Sequence, residues 1–574
     1  MILKGLAPRR QIWQEGTLVE QLDETAEHHG DRIAFIDEGR TTTWAQMRDR
    51  SRAIARGMLA IGLARGDHVA LWLPNRMDFL AIWLAAAHIG AVAIPINTRY
   101  REREFEHVLK HSDARLLFMV ERFLSVDCAG ILSAVAPLSR PDDFPRLERV
   151  FSLEDDTAES SVETLLALGN SVSDSDVDAA ARDVRPVDTT TIIYTSGSTG
   201  VPKGVMHNHN VLRNECAITE WLDIDESSRI LGHMPFFHVA GGLSALLPAL
   251  ITGAAVVLMD HWDPARALEL IAEQKVTVFG GIATHFIDIV NYPRLTEHDI
   301  SSLRTGWIGG SMNPRELMEA IQSRLRFRVF PAYGMTETTS VTTYPRWDDP
   351  LEVYLAGKGV PVSDFEVMVC DVEGGDELGP NDSGEVCVRG HPVMQGYYKM
   401  PDATAAAIDG DGWFHSGDIG RFDDAGYLSI VGRRKDMYIV GGNNVYPAEV
   451  EAVLVASNDV IHAQVVAVPD ERLGEVGYAF VELVPGASLT TNSAIAFCRL
   501  RLADFKVPRH CAFVAQWPRL DNGKIDRPSL QARAIEALGL AELASRRLLR
   551  DDGSRSTRSG SSPHGDMTSG TGDM

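Results

Sequence analysis

From about residue 20 to residue 360, apolar residues at helical spacing alternate with short runs rich in Val, Ile and Ala. That alternation predicts sheets covered by helices, an α/β arrangement. Asp67-His68-Val69-Ala70-Leu71-Trp72-Leu73 reads as a buried strand, as do Ala254–Met259 and Val276–Phe279, the last preceded by a helix over Pro264–Gln274. The run Phe79–Ile96 is nearly all apolar and about long enough to span a bilayer, but His88, Gly90 and Pro95 interrupt it. It predicts instead a buried helix over Phe79–Ile89, a turn at Gly90, and a buried strand over Ala91–Ile94. Beyond residue 360 the runs shorten and Gly and Asp punctuate them, as in Val367–Cys370 and Gly384–Val388. This texture predicts a small β-rich subdomain.

A second domain is expected from Arg433. There Val445-Tyr446-Pro447 introduces a helix with Pro in its first turn and Val450, Val453 and Leu454 on one face. Strands over Ala463–Val468 and Gly477–Val484 and a helix over Ser493–Ala503 complete a compact α+β unit. The chain thus divides into residues 1–432, 433–540 and a polar tail, 541–574, whose Gly/Ser/Thr-rich end predicts disorder. No solenoid repeat is apparent.

A chain of 574 residues exceeds what one core usually organises, in keeping with two domains. Its formal net charge of -24 argues against nucleic acid or an anionic membrane as partner. Cys128, Cys216, Cys370, Cys387, Cys498 and Cys511 are scattered, with no C-x-x-C pair, so no zinc site or disulfide framework is expected. Together with the lack of a secretory pattern near Lys4, Arg9 and Arg10, this suggests a reducing, cytoplasmic setting. A homodimer is left open.

The most informative segment follows the strand-like Thr191-Ile192-Ile193: Tyr194-Thr195-Ser196-Gly197-Ser198-Thr199-Gly200-Val201-Pro202-Lys203-Gly204. Backbone N–H groups and hydroxyls of such a loop can wrap phosphate oxygens, while Lys203 adds a positive charge. It is neither a Walker A loop nor a G-x-G-x-x-G fingerprint. The string resembles the phosphate loop of the AMP-forming adenylating superfamily, which includes acyl-CoA synthetases, nonribosomal-peptide adenylation domains and luciferases. Further motifs of that family follow in the same order across roughly residues 20–535. The resemblance implies an α/β fold with a large N-terminal domain and a smaller, mobile C-terminal domain.

It also implies roles for individual residues. Thr195, Ser196, Gly197, Ser198, Thr199 and Gly200 would hold phosphate, and Gly309, Gly310 and Ser311, within Gly306–Pro314, would lie along adenine and the acyl group. In Tyr333-Gly334-Met335-Thr336-Glu337, Tyr333 would stack on adenine, Thr336 would bind phosphate and Glu337 would hold Mg²⁺. Asp418, closing Gly412–Asp418, and Arg433 would contact the ribose, with Lys435 at the hinge. Lys524, in Leu520-Asp521-Asn522-Gly523-Lys524, would stabilise charge as pyrophosphate leaves. Lys524, Glu337, Lys203 and His238 form the implied catalytic set, and ATP, Mg²⁺ and CoA the implied cofactors.

The run Tyr438–Glu451 resembles the acyl-CoA ligase segment in which a Gly-rich strand, here with Gly441 and Gly442, lines a pantetheine tunnel after the smaller domain swings. Met234–Gly241 resembles the segment whose His, here His238, borders the carboxylate and thiol route. The rival is an enzyme that loads a carrier protein. Gly241-Gly242-Leu243-Ser244 superficially matches a phosphopantetheine attachment site but reads as packing. His207 and His209 resemble the family's segment after the phosphate loop and lack a third ligand for a metal site. Residues after His238, Phe279–Thr284, Trp307 and Ile308 should line the acid pocket. They are largely apolar, with no Lys or Arg for a second carboxylate, which favours a fatty, alicyclic or aromatic monoacid. Glycines 280 and 281 suggest room for bulk, steroid-like acids included.

Overall fold

The structure is a computed structural model and describes residues 1–5, 15–136, 146–154, 160–195, 202–310, 313–362, 364–441, 443–519 and 525–540. It forms an α/β assembly of two compact units, Met1–Arg434 and Lys435–Met574. The division falls two residues beyond the boundary read from the sequence. The polar tail from 541 onward lies outside the described residues.

The first unit is built on layered sheets. A seven-stranded sheet runs in the order Gly396–Tyr397, Lys203–Asn208, Thr189–Thr195, Val92–Pro95, His68–Trp72, Ala114–Met119 and Arg149–Ser152. Its last five strands are mutually parallel. The helix Met77–His88 has every residue from Asp78 to His88 buried and packs on the helix Trp44–Ala60, which explains its unbroken apolar run without a membrane. Among the described residues no helix is long and apolar enough to cross one.

Two further parallel groups lie side by side. One holds Arg229–Gly232, Ala255–Leu258 and Ile33–Asp37 with the antiparallel Arg40–Thr43; the other holds Gly281–Ile282, Thr305–Gly309 and Arg328–Pro331. The expected strand Val276–Phe279 is reduced to single bridges at Val278, one to Ile230 and one to Thr305, which stitch the two groups together. The ladder breaks at Phe279 and Gly280 and resumes only as the two-residue strand Gly281–Ile282 before the helix Ala283–Val290 begins. The helix Pro264–Gln274 stands as expected, capped by the Asp263 carboxylate on the Arg266 N–H and ended by Lys275 at φ 51°.

The β-rich subdomain is a five-stranded sheet ordered Ile2–Lys4, Glu366–Cys370, Gly384–Arg389, Phe414–Phe422 and Leu428–Arg433. Its edge strand Ile2–Lys4 was not anticipated, because three residues carry no usable periodicity.

In the second unit the strands Tyr438–Val440 and Asn443–Val445 form a hairpin beside Gly474–Leu483 and Val460–Asp470, and His510–Phe513 joins in parallel. Val450 and Leu454 of the helix Pro447–Val455 are buried against Tyr438, Val445 and Val465. The helix expected over Ser493–Ala503 spans Thr491–Arg499, because Thr490 caps it early and a new turn at Asp504–Lys506 follows.

Candidate active site

In an open α/β sheet, ligands bind beyond the carboxyl ends of parallel strands, where backbone N–H groups and loops converge. Six segments leave parallel strands at such ends: Thr195, Asn75 after His68–Trp72, His233 to His238 after Arg229–Gly232, Ile282, Gly309 and Gly310, and Tyr333 after Arg328–Pro331.

Thr195 closes its strand opposite Lys203 in an antiparallel pair. Ser196, Gly197, Ser198, Thr199 and Gly200, which connect them, lie outside the described residues, as do Ser311, Gly442 and Lys524. Lys203 Nζ sits 4.7 Å from the ring centroid of Tyr397, and the Tyr397 hydroxyl donates to Glu337 Oε1 at 2.9 Å. Tyr397 therefore holds a cation on its face and a carboxylate at its hydroxyl. The turn carrying Glu337, Thr336–Thr338, is tied down by Met394 N–H to the Glu337 carbonyl and by His207 Nε2–H to the Thr336 carbonyl, both at 2.8 Å.

That turn ends in strain. Thr339 has φ 68° and ψ -71°, and the Ser340 N–H reaches the Thr338 carbonyl at 2.8 Å, the pattern of a γ-turn that β-branched residues rarely adopt. The Thr339 hydroxyl donates to the Pro392 carbonyl at 2.5 Å. Gly334 is required here because a Cβ would stand 2.0 Å from the Ser340 carbonyl oxygen. Behind the turn lies Glu215, fully buried, with Ser340 Oγ 2.6 Å from its Oε1; burial pushes its carboxyl up to about 8.

Tyr333, Asp418 and Arg433 meet. The Tyr333 hydroxyl donates to Asp418 Oδ2 at 3.1 Å, and Arg433 Nε lies 3.1 Å from Asp418 Oδ1. Asp418 and Arg433 face each other directly in the antiparallel ladder, so strand register, not a long side-chain reach, sets the ion pair. The Asp418 side chain is 7% exposed and that of Arg433 49%. Burial and the neighbouring Asp418 charge raise the Tyr333 phenol well above its ordinary range, keeping it a donor.

The region where the acid pocket was expected is organised differently. Asn75, which the sequence reading missed, is buried with Nδ2 at 3.0, 2.9 and 3.1 Å from the carbonyls of Gly232, Met234 and Met259, and Oδ1 accepts from Phe236 N–H at 2.9 Å. It fixes the loop that presents His238, the residue before the short helix Val239–Gly242. His233 Nε2 stands 3.1 Å from His285 Nδ1, and the ring of His285 stacks on Trp262 at 4.2 Å. Burial lowers His233 to about 4; burial, then His233 and Arg99, lower His285 to about 2, so both are neutral near pH 7. Arg99 is thus a cation on this side that the sequence reading did not count. The space at Gly280 is not free: a Cβ there would lie 2.2 Å from Trp307 Nε1, so the indole fills the room expected for acyl bulk.

Other expectations resolve locally. Ser244 is 6% exposed, which suits packing and not attachment of a phosphopantetheine arm. His207 is spent on Thr336 and His209 Nδ1 accepts from the Leu18 N–H, so neither awaits a metal. Gly441, at φ 56°, is a turn residue of the hairpin Tyr438–Val445 and not part of a strand, because Val440 pairs with Asn443 directly across it. Lys435 is exposed in the turn Arg434–Asp436, where the two units divide. The scattered cysteines are less scattered than their spacing suggests, since Cys370, Cys387 and His415 come together.

A lysine and a threonine paired where two strands end, beside a buried aspartate locked to an arginine, suit an α/β enzyme that handles a nucleotide. Residues 22–398 match the model of the AMP-binding enzyme family and residues 449–524 that of the AMP-binding enzyme C-terminal domain. The chain belongs to the AMP-binding enzyme family. It is 38% identical over 519 residues to the 3-[(3aS,4S,7aS)-7a-methyl-1,5-dioxo-octahydro-1H-inden-4-yl]propanoyl:CoA ligase of Mycobacterium tuberculosis, covering 90% of this chain and 98% of that one. It is 32% identical over 543 residues to the mitochondrial medium-chain acyl-CoA ligase of Mus musculus, covering 91% and 88%. Among solved structures, ATP-bound MatB from Rhodopseudomonas palustris superposes with a TM-score of 0.80 at 27% identity, covering 90% and 98%.

Proposed function

We propose that the chain is an AMP-forming acid–CoA ligase acting on a fatty, alicyclic or aromatic monoacid. The observation that carries this reading is the Tyr333–Asp418–Arg433 corner, a ready ribose and adenine seat, in a chain similar over nearly its whole length to acyl-CoA ligases. In the first step a carboxylate oxygen attacks the α-phosphorus of ATP and the bond to pyrophosphate breaks. In the second the CoA sulfur attacks the acyl carbon and the bond to AMP breaks. Both steps rest on positioning and charge stabilisation.

Thr195, Thr336 and the loop Ser196–Gly200 receive the phosphates, with Lys203 facing the charge that leaves. Gly309, Gly310 and Ser311 border adenine and the acyl group. Lys524 stabilises the first transition state, Lys435 is the hinge, and Gly441 and Gly442 line the CoA path. Magnesium fits the donor set: Glu337 offers a hard carboxylate with Oε1 held by Tyr397 and Oε2 turned to no hydrogen-bond partner among the described residues. When bound there the ion would neutralise phosphate charge. His238 borders the route of carboxylate and thiol. The largely apolar lining, with Arg99 as the cation noted beside it and no Asp or Glu among the residues proposed for it, favours a monoacid over an amino acid. A cytoplasmic setting belongs to the same reading.

Pyrophosphate release is the test, run with ATP, Mg²⁺ and fatty, alicyclic, aromatic and steroidal acids, with and without CoA, and with product masses read. A CoA-dependent thioester from one class of acid is expected; an adenylate that CoA never discharges would instead make this a carrier-loading enzyme. Lys524→Ala should abolish adenylate formation and spare thioester formation from a supplied acyl-adenylate. Equal loss of both half-reactions would remove the two-conformation division of labour.

A further inference from the structure

The β-rich sheet gathers three donors that the nucleotide chemistry does not use. Cys370 ends the strand Glu366–Cys370, Cys387 lies in Gly384–Arg389, and His415 lies opposite Cys387 in Phe414–Phe422. Cys370 Sγ is 3.0 Å from Cys387 Sγ, which is 3.5 Å from His415 Nδ1, and the three atoms all lie within 4.8 Å of one another. Both cysteines are buried beside Met368 and Trp413, while the His415 side chain is 31% exposed and offers an entry. His415 Nδ1 is also 3.3 Å from Glu385 Oε2, and its Nε2 is 3.4 Å from Asp409 Oδ2. Two thiols and an imidazole whose far nitrogen meets a carboxylate are the donor set and outer support of a thiophilic metal.

A disulfide is the competing product, and the register disfavours it. Cys370 faces Glu385 and Cys387 faces Met368, so the two cysteines are diagonal neighbours. Diagonal Cα atoms stand roughly 7–8 Å apart, at or past the reach of an unstrained disulfide. A tetrahedral zinc, with bonds of about 2.3 Å to sulfur and 2.0 Å to nitrogen, separates sulfur from nitrogen by about 3.5 Å and sulfur from sulfur by about 3.8 Å. The Cys387–His415 distance already fits, and the two thiols need spread by less than about 1 Å. A disulfide would also leave the His415–Asp409 contact without purpose.

We propose that Cys370, Cys387 and His415 bind one Zn²⁺, with Glu385 or water in the fourth position. Binding replaces the two thiol protons, which go to solvent. The site bears on the nucleotide through the strand it grips. His415 lies three residues before Asp418, and Glu385 accepts the Gly417 N–H at 3.0 Å and faces Arg434 at 3.4 Å. Zinc that holds His415 against the thiols therefore fixes the strand on which the proposed ribose seat is built.

The full chain, stripped with chelator, is titrated with Co²⁺ as an optical stand-in for zinc. One equivalent should give a thiolate-to-cobalt charge-transfer band that Zn²⁺ abolishes, and Zn²⁺ should protect Cys370 and Cys387 from alkylation in peptide mapping of the unmutated protein. Cys387→Ser should remove the band, and His415→Ala should weaken zinc at least about 10-fold. Absence of the band, a band unchanged in Cys387→Ser, alkylation of both thiols despite zinc, or a metal-free Cys370–Cys387 disulfide in the reduced-buffer preparation would each overturn the proposal.

Discussion

The two ends of the active site hold their shape by opposite means. At the nucleotide end the deciding groups are charged, and paired strands set them: Asp418 faces Arg433 across a ladder, and Tyr397 links Lys203 to Glu337. On the proposed acyl side, Arg99 apart, the groups are neutral and buried, held by backbone carbonyls through Asn75 and by ring contacts among His233, His285 and Trp262. A nucleotide presents the same charges in every reaction, so a rigid charged seat serves it. An apolar acid is read by shape, and shape is kept by packing whose polar members are fully occupied.

The contrast can be broken first at Asp418. Asp418→Ala strips two partners from one buried carboxylate, and charged hydrogen bonds contribute about 1.5–3 kcal/mol each. The KM for ATP should rise about 100-fold, with the KM for the acid unmoved in steady-state assays; a matching rise in both would mean that the ends are not separable. Asn75→Asp keeps the shape and the acceptor for Phe236 N–H but leaves three carbonyls without their donor. Stability should fall by about 2–4 kcal/mol in denaturant titration, with the KM for the acid raised and that for ATP little changed.

The smallest effect, and the sharpest, is in pH. Glu215, under the nucleotide end, is raised from 4.5 to about 8. The folded state keeps its proton where the unfolded chain has lost it, so its stabilising effect is complete below about pH 4.5 and is lost as pH rises through 8. His233 and His285 are lowered from 6.5, to about 4 and about 2, so their contribution is complete above about pH 6.5 and is lost as pH falls through about 4 for His233 and about 2 for His285. Melting temperature against pH should therefore fall on both sides. Glu215→Gln should flatten only the alkaline limb and His285→Phe only the acid one; a variant that flattens the opposite limb would assign the titration elsewhere.

The nucleotide end was legible in the sequence because its chemistry sits in short contiguous strings. Gly412–Asp418 and Val431–Asp436 each name a residue, and a single β-turn of chain joins the two strands that pair them. The acyl end was not. Asn75 follows Leu73-Pro74 as any strand-ending turn residue does, and its four contacts come from residues 157 to 184 positions away and a loop 161 away. Gly280 was read as open space because a missing side chain looks the same whether solvent, substrate or, as here, Trp307 takes its place. Cys370, Cys387 and His415 escaped for a third reason: their neighbourhood depends on register across three strands, which spacing alone does not reveal.

Thr339 stores strain beside a residue with a proposed role. A γ-turn at a β-branched residue costs about 1–3 kcal/mol, and a glycine there would recover part of it. The same tight bend, pinned by the Thr339 hydroxyl on Pro392, closes the turn that carries Glu337, whose carboxylate Tyr397 holds. Relief and support are thus carried by one side chain: Thr339→Gly would ease the bend and strand the Pro392 carbonyl together, so melting should move little while turnover slows as the turn under Glu337 loosens.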